Sequence, residues 1–160
     1  MTVTFVEPTS RKALYVLNGL EGVDHVEPFR SVPARLRFGH RHYRTSIQSV
    51  EPDGTLYRLL NKQLELVPLP PDGVILTDYL AWMLNIRPGE MLTVEVLEGE
   101  RPIYQVPVAG LVNEYVGVFA YMQLSALNRL MREGHAISGA YLSTDAQYQQ
   151  RVYQQLREMP

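Results

Sequence analysis

The chain has 160 residues, no cysteine and a formal net charge of −2, with 46% hydrophobic and 20% charged residues. That length allows one domain, or two small ones, with a sizeable core. The composition excludes disulfides, thiolate metal sites and cysteine nucleophiles, and the charge gives no reason to expect nucleic acid or an anionic membrane as a general partner.

No apolar run approaches the roughly 20 residues that span a bilayer. Met1-Thr2-Val3-Thr4-Phe5 has no basic segment followed by an apolar one, so no secretory leader is read there. Structure is expected almost from the first residue, and a helical pattern runs nearly to Pro160. Such ends are expected of a piece of a longer protein.

In chain order, residues 3–6 read as a strand and Ser10 as the cap of a first helix with Leu14, Leu17 and Leu20 on its apolar face. Residues 23–29 are a candidate strand, so strand, helix and strand open the chain as a βαβ-like unit. Residues 31–50 predict a β-hairpin: Leu36 and Phe38 alternate with Arg35 and Arg37, Gly39-His40 turns, and Tyr43, Thr45 and Ile47 alternate with Arg44, Ser46 and Gln48. One or two helical turns are expected over 55–60, with Leu56, Leu59 and Leu60 inward, then a short extended piece over 64–67. Pro68-Leu69-Pro70-Pro71-Asp72-Gly73 is a stiff connector.

Residues 74–110 form the unit around which the chain is organised. Val74-Ile75-Leu76 suits a buried strand, Thr77 a helix N-cap and Asp78 a helix first turn. Leu80, Met83 and Leu84 share one helical face. Arg87-Pro88-Gly89 turns the chain, and residues 91–97 and 103–108 predict a second hairpin. From 111 a strand runs into an apolar, aromatic loop around Gly117, then a helix carries Leu124, Leu127, Leu130 and Met131 to Gly134. Residues 137–142 read as a strand and 146–159 as a last helix with Val152 and Leu156 inward. No internal repeat appears.

The expected architecture is α+β. Both chain ends, 1–30 and 111–160, form a mixed sheet with helices, and 31–110 is an inserted β-rich part built of hairpins or a small barrel.

Four constellations are candidates for function. Arg35, Arg37, His40, Arg41, His42 and Arg44 concentrate charge on one hairpin, either to meet a phosphate, headgroup or nucleic acid, or as a solvated face guarding an edge strand. His40 and His42 share a strand face at metal-pair spacing, but no third ligand lies near them in sequence. Asp78, Glu95, Glu98, Glu100 and Glu114 are scattered rather than paired for acid–base work, so no enzymatic site is expected. Tyr115, Val118, Phe119, Tyr121 and Met122 are large apolar residues where a loop should be polar. They read either as an exposed partner surface or as a loop folded back over the core.

The stretch Val74-Ile75-Leu76-Thr77-Asp78-Tyr79-Leu80-Ala81, then Leu84-Asn85-Ile86-Arg87-Pro88-Gly89-Glu90, then Thr93-Val94-Glu95-Val96-Leu97-Glu98-Gly99 resembles the extracytoplasmic domain of FtsX-like (MacB-type) permease subunits of ABC transporters. Asn85 stands where that family usually has Gly, and Glu90 where it has Asp. Val108 to Tyr115, Ala120 to Met122 and Leu127 to Leu130 continue the likeness. The resemblance implies an α/β part near the membrane carrying a distal β-rich part, outside the cytoplasmic membrane. It implies transmembrane helices of the parent permease, a cytoplasmic ATPase subunit, and a substrate, accessory protein or second copy as partners, with no cofactor and no catalytic residue. Lipids, lipoproteins or peptides are the substrates it implies.

Tyr115, Phe119, Tyr121 and Met122 are accordingly the expected contacts to substrate or partner. Changing Phe119 and Tyr121 together to Ser is expected to abolish transport and leave the domain folded. A soluble β-barrel module recognising nucleic acid or protein clients is the rival, because Leu84-x-Ile86-x-Pro88-Gly89-Glu90-x-Leu92-x-Val94 also fits such barrels.

Overall fold

A computed structural model describes residues 1–51, 53–114 and 117–159. The chain forms an α+β fold of two layers. One is a three-stranded sheet ordered β1-β9-β2; the other is a closed barrel ordered β3-β4-β8-β5-β7-β6.

The sheet uses both chain ends. β1 (Thr2–Ser10) and β2 (Val23–Phe29) each run antiparallel to β9 (Ala136–Thr144), which lies between them. The βαβ-like opening is therefore split, with the last strand inserted into it. Helices α1 (Ala13–Asn18) and α4 (Gln149–Glu158) bring Leu17 and Val152 onto Ala140 and Leu142 of β9. Gly139 is fixed by crowding: a Cβ there would stand 2.0 Å from the Val3 carbonyl oxygen and 2.6 Å from the Phe29 ring.

The barrel is built twice over from one plan. β3 (Ser31–Phe38), β4 (Arg41–Val50), β5 (Val74–Thr77) and α2 (Asp78–Leu84) are followed by β6 (Met91–Val96), β7 (Ile103–Val112), β8 (Ala120–Gln123) and α3 (Leu124–Leu130) in the same succession. The pairings match as well: β4 runs parallel to β8 and β7 parallel to β5, while β3–β6 and β5–β8 are antiparallel. Even the helix entries coincide, at φ −63° ψ 144° for Thr77 and φ −63° ψ 145° for Gln123. The sequence shows no repeat because the two halves share backbone geometry and burial, not residue identity: Val74-Ile75-Leu76 corresponds to Ala120-Tyr121-Met122.

The pairing moves a boundary. With β8 hydrogen-bonded to β4 and β5, and Ala126 and Leu127 of α3 in the barrel core, the barrel extends well past residue 110. Local pattern could not show this, since a strand's partners are set by tertiary pairing. The helical turns expected over 55–60 do not form. That stretch bends, and Leu60 pairs with Leu66 in an isolated bridge. Thr77 does stand at the cap position of α2, but its buried hydroxyl makes no cap bond.

Candidate functional site

Two chain crossings join the sheet to the barrel, and the joint between the layers has two faces. On the first face lies Arg30, the single residue between β2 and β3. Its backbone N–H donates to Ser49 Oγ at 2.7 Å, which anchors the crossing to β4. Its side chain is 1% exposed and spans both layers. Nε donates to Glu133 Oε1 at 2.7 Å, on the return crossing, and Nη1 donates to Ser138 Oγ at 3.1 Å, in β9. Nη2 donates to Glu98, in the turn between β6 and β7. Burial works against the guanidinium charge, but Glu133 and Glu98 outweigh it and hold the group more firmly protonated than usual.

The second face is aromatic. Tyr141 of β9 lies between Phe29 and Tyr57, with ring centroids 4.8 Å and 5.4 Å away. Tyr57 belongs to the long connection between β4 and β5. Tyr121 of β8 donates its hydroxyl to Glu114 Oε2 at 2.8 Å, and Phe119 meets Tyr121 edge-on at 6.4 Å. An open cleft bordered by Gln48, Tyr57, Glu114, Phe119, Tyr121 and Tyr141 therefore joins sheet, connection and barrel.

Charge on this face is poised in opposite senses. Burial raises the Glu114 carboxyl above its ordinary range, and the Tyr121 hydroxyl only partly offsets that. Burial and the Glu114 partner push Tyr121 upward, and burial takes Tyr141 to about 12. Glu27 differs. Burial alone would raise it, but the backbone N–H groups of Thr55 and Leu56, with the Thr55 hydroxyl and His25, hold it below the ordinary carboxylate range. Glu27 thereby ties the β4–β5 connection to β2.

The expected contact residues fare differently from one another. Tyr121 is 2% and Met122 3% exposed. Both sit in β8, Met122 in the barrel core and Tyr121 in the aromatic cluster, so neither offers a surface to a partner. Sequence alone could not show this, because the strand holding them is completed by β4 and β5 from far along the chain. Phe119 is half-buried against the same cluster. Tyr115 lies outside the described residues. Sequence reasoning missed Arg30, Glu27, Tyr57 and Tyr141; an arginine set between two predicted strands, at Phe29-Arg30-Ser31, was the one available signal. His40 and His42 gather no third ligand, and among the described residues no group of three metal-binding side chains occurs.

No family model matches this chain, and no curated protein matches it in sequence. Solved structures do. The fold is shared with the extracellular domain of one ABC-type transporter and with the periplasmic region of MacB. The extracellular domain of a noncanonic ABC-type transporter, YknZ, from Gram-positive bacteria superposes over 91% of this chain and 78% of its own, at 14% identity and a TM-score of 0.57. The periplasmic region of MacB from Actinobacillus actinomycetemcomitans superposes over 97% of this chain and 74% of its own, at 15% identity and a TM-score of 0.55.

Proposed function

We propose that this chain is the non-catalytic extracytoplasmic domain of an ABC transporter permease. The observation that carries the reading is the shared fold over nearly the whole chain. No helix among the described residues is long and apolar enough to cross a membrane, so on this reading the spans belong to the rest of the permease. The sheet layer faces the membrane and the barrel stands away from it. ATP hydrolysis by a cytoplasmic subunit moves the sheet layer, and the joint passes that movement to the barrel, which acts on a lipid, lipoprotein or peptide substrate or on an accessory protein. Arg30 supports this role because it contacts both crossings and both layers at once.

The test is to read the encoding gene on both sides of this segment. The expected result is an apolar stretch of about 20 residues adjoining each end. A start codon and a stop codon with neither stretch would overturn the reading.

A further inference from the structure

The outward face of the β3–β4 hairpin is cationic to a degree that the fold itself does not need. Val32, Ala34 and Leu36 point into the barrel, so Arg35 and Arg37 point out. Arg35 lies directly opposite Arg44, and Arg37 opposite His42. The Arg35–Arg44 pair sets like charges opposite each other across antiparallel strands, which is destabilising. One carboxylate answers them: Glu95, 2.8 Å from Arg37 and 3.9 Å from Arg35. Among the described residues, Arg41, His42 and Arg44 form no ion pair. Edge protection does not account for Arg35 and Arg37 either, because β3 is flanked by β4 and by β6 at both positions.

The same end of the barrel carries an exposed aromatic pair. Trp82 is 73% and Tyr79 54% exposed, and their rings stack with centroids 5.8 Å apart. Both stand on the outer face of α2, whose inner face buries Leu80, Ala81 and Leu84. Arg41 Nη1 donates to the carbonyl of Met83, the residue after Trp82, at 3.2 Å. The tip of the cationic hairpin and the aromatic helix thus meet in one end surface of the barrel. It lies at the end of the barrel away from the sheet, since β2 leads into the start of β3 and this surface is at the far end of β3.

We infer that this surface docks an acidic, apolar segment of a partner polypeptide. Arginines pair carboxylates in two-point geometry, and Trp and Tyr are the side chains that most often anchor protein interfaces. A densely charged phosphate polymer fits less well. The two rings stack on each other rather than forming an open platform for bases. That the partner is an accessory protein outside the membrane rests on the function proposed above; the docking chemistry does not.

Trp82 is the chain's single tryptophan and reports on this surface directly. The experiment titrates the complete domain with a short Glu/Leu peptide, the matching Lys/Leu peptide, polyphosphate and duplex DNA, following Trp emission. A saturable blue shift with the Glu/Leu peptide is expected. Binding should weaken about tenfold in Arg44→Glu, and again between about 50 and 500 mM salt. Tyr79→Ser should weaken it without changing the salt response. Arg44 is exposed and forms no ion pair among the described residues, so an unchanged thermal midpoint shows that Arg44→Glu remains folded. No response to the Glu/Leu peptide overturns the inference, as does an equal response to the Lys/Leu peptide or full affinity in Arg44→Glu. Tighter binding of DNA or polyphosphate overturns it in favour of a nucleic-acid or polyphosphate surface. Peptide binding without membrane spans in the gene would sink the permease reading alone; spans without peptide binding would sink this one alone.

Discussion

The two faces of the joint hold the same layers together by different physics. On one, a guanidinium 1% exposed is fixed atom by atom to Glu98, Glu133 and Ser138. On the other, Tyr141 stacks on Tyr57 and lies tilted against Phe29, beside the Tyr121–Glu114 hydrogen bond. Charge-assisted hydrogen bonds are directional and demand one geometry, whereas stacked rings tolerate lateral shifts at small cost. The joint therefore has a fixed side and a more compliant side.

Breaking the compliant face at its core should have the largest effect. Replacing Phe119 and Tyr121 together by Ser removes a buried ring and its half-buried neighbour, and should cost about 4–6 kcal/mol in urea unfolding. Loss of function in that variant would then reflect lost folding, contrary to the sequence-based expectation. A native-like unfolding midpoint would show that the rings are dispensable to the core.

The fixed face should respond next. Arg30→Met leaves Glu98 and Glu133 facing each other without their cation. Because both are about a quarter exposed and can recover some hydration, the loss should be about 3 kcal/mol, the lower end for a broken buried pair. Adding Glu98→Gln and Glu133→Gln should restore part of it. If the triple variant is no more stable than Arg30→Met, charge is not what Arg30 balances.

The smallest effects sharpen the contrast within the aromatic face, and pH separates them. Glu27 titrates below its ordinary value in the fold, so its contribution is present above the unfolded value of 4.5 and is lost as pH falls through the folded value. Glu27→Ala should cost about 1–3 kcal/mol at neutral pH, because the Thr55 and Leu56 amides lose their acceptor, and the gap to wild type should narrow in acid. Glu114 is the reverse. Its raised value favours the protonated fold, so stability falls as pH rises above 4.5 through the folded value. Glu114→Gln should therefore gain on wild type as pH rises, in thermal midpoints measured from pH 4 to 8. Parallel pH profiles for the two variants would contradict the opposed environments.

Much of the fold was legible in the sequence wherever neighbours in sequence are also partners in space. The two hairpins, the Thr77 entry into α2 and the closing strand and helix all follow from alternation, helical spacing and turn residues. Residues 55–60 misled because Leu56, Leu59 and Leu60 have helical spacing, while Glu27 binds the Thr55 and Leu56 amides and holds that stretch in a bend. Of the site, Tyr121 and Phe119 were legible as an apolar cluster with either an exposed or a core setting open to it, and Arg30 was not seen at all. The apolar character of 117–122 is local information; which side of it meets water is not.

By itself the sequence determined the α+β class, the order of the elements and the cationic hairpin, because alternation, capping and turn chemistry act over a few residues. Only the tertiary structure decided that β8 closes the barrel, that its two halves repeat one plan, and that Arg30 meets Glu98 and Glu133. Each of these depends on pairing between segments tens of residues apart, where the burial of backbone and charge is settled by the partner and not by the chain's neighbours.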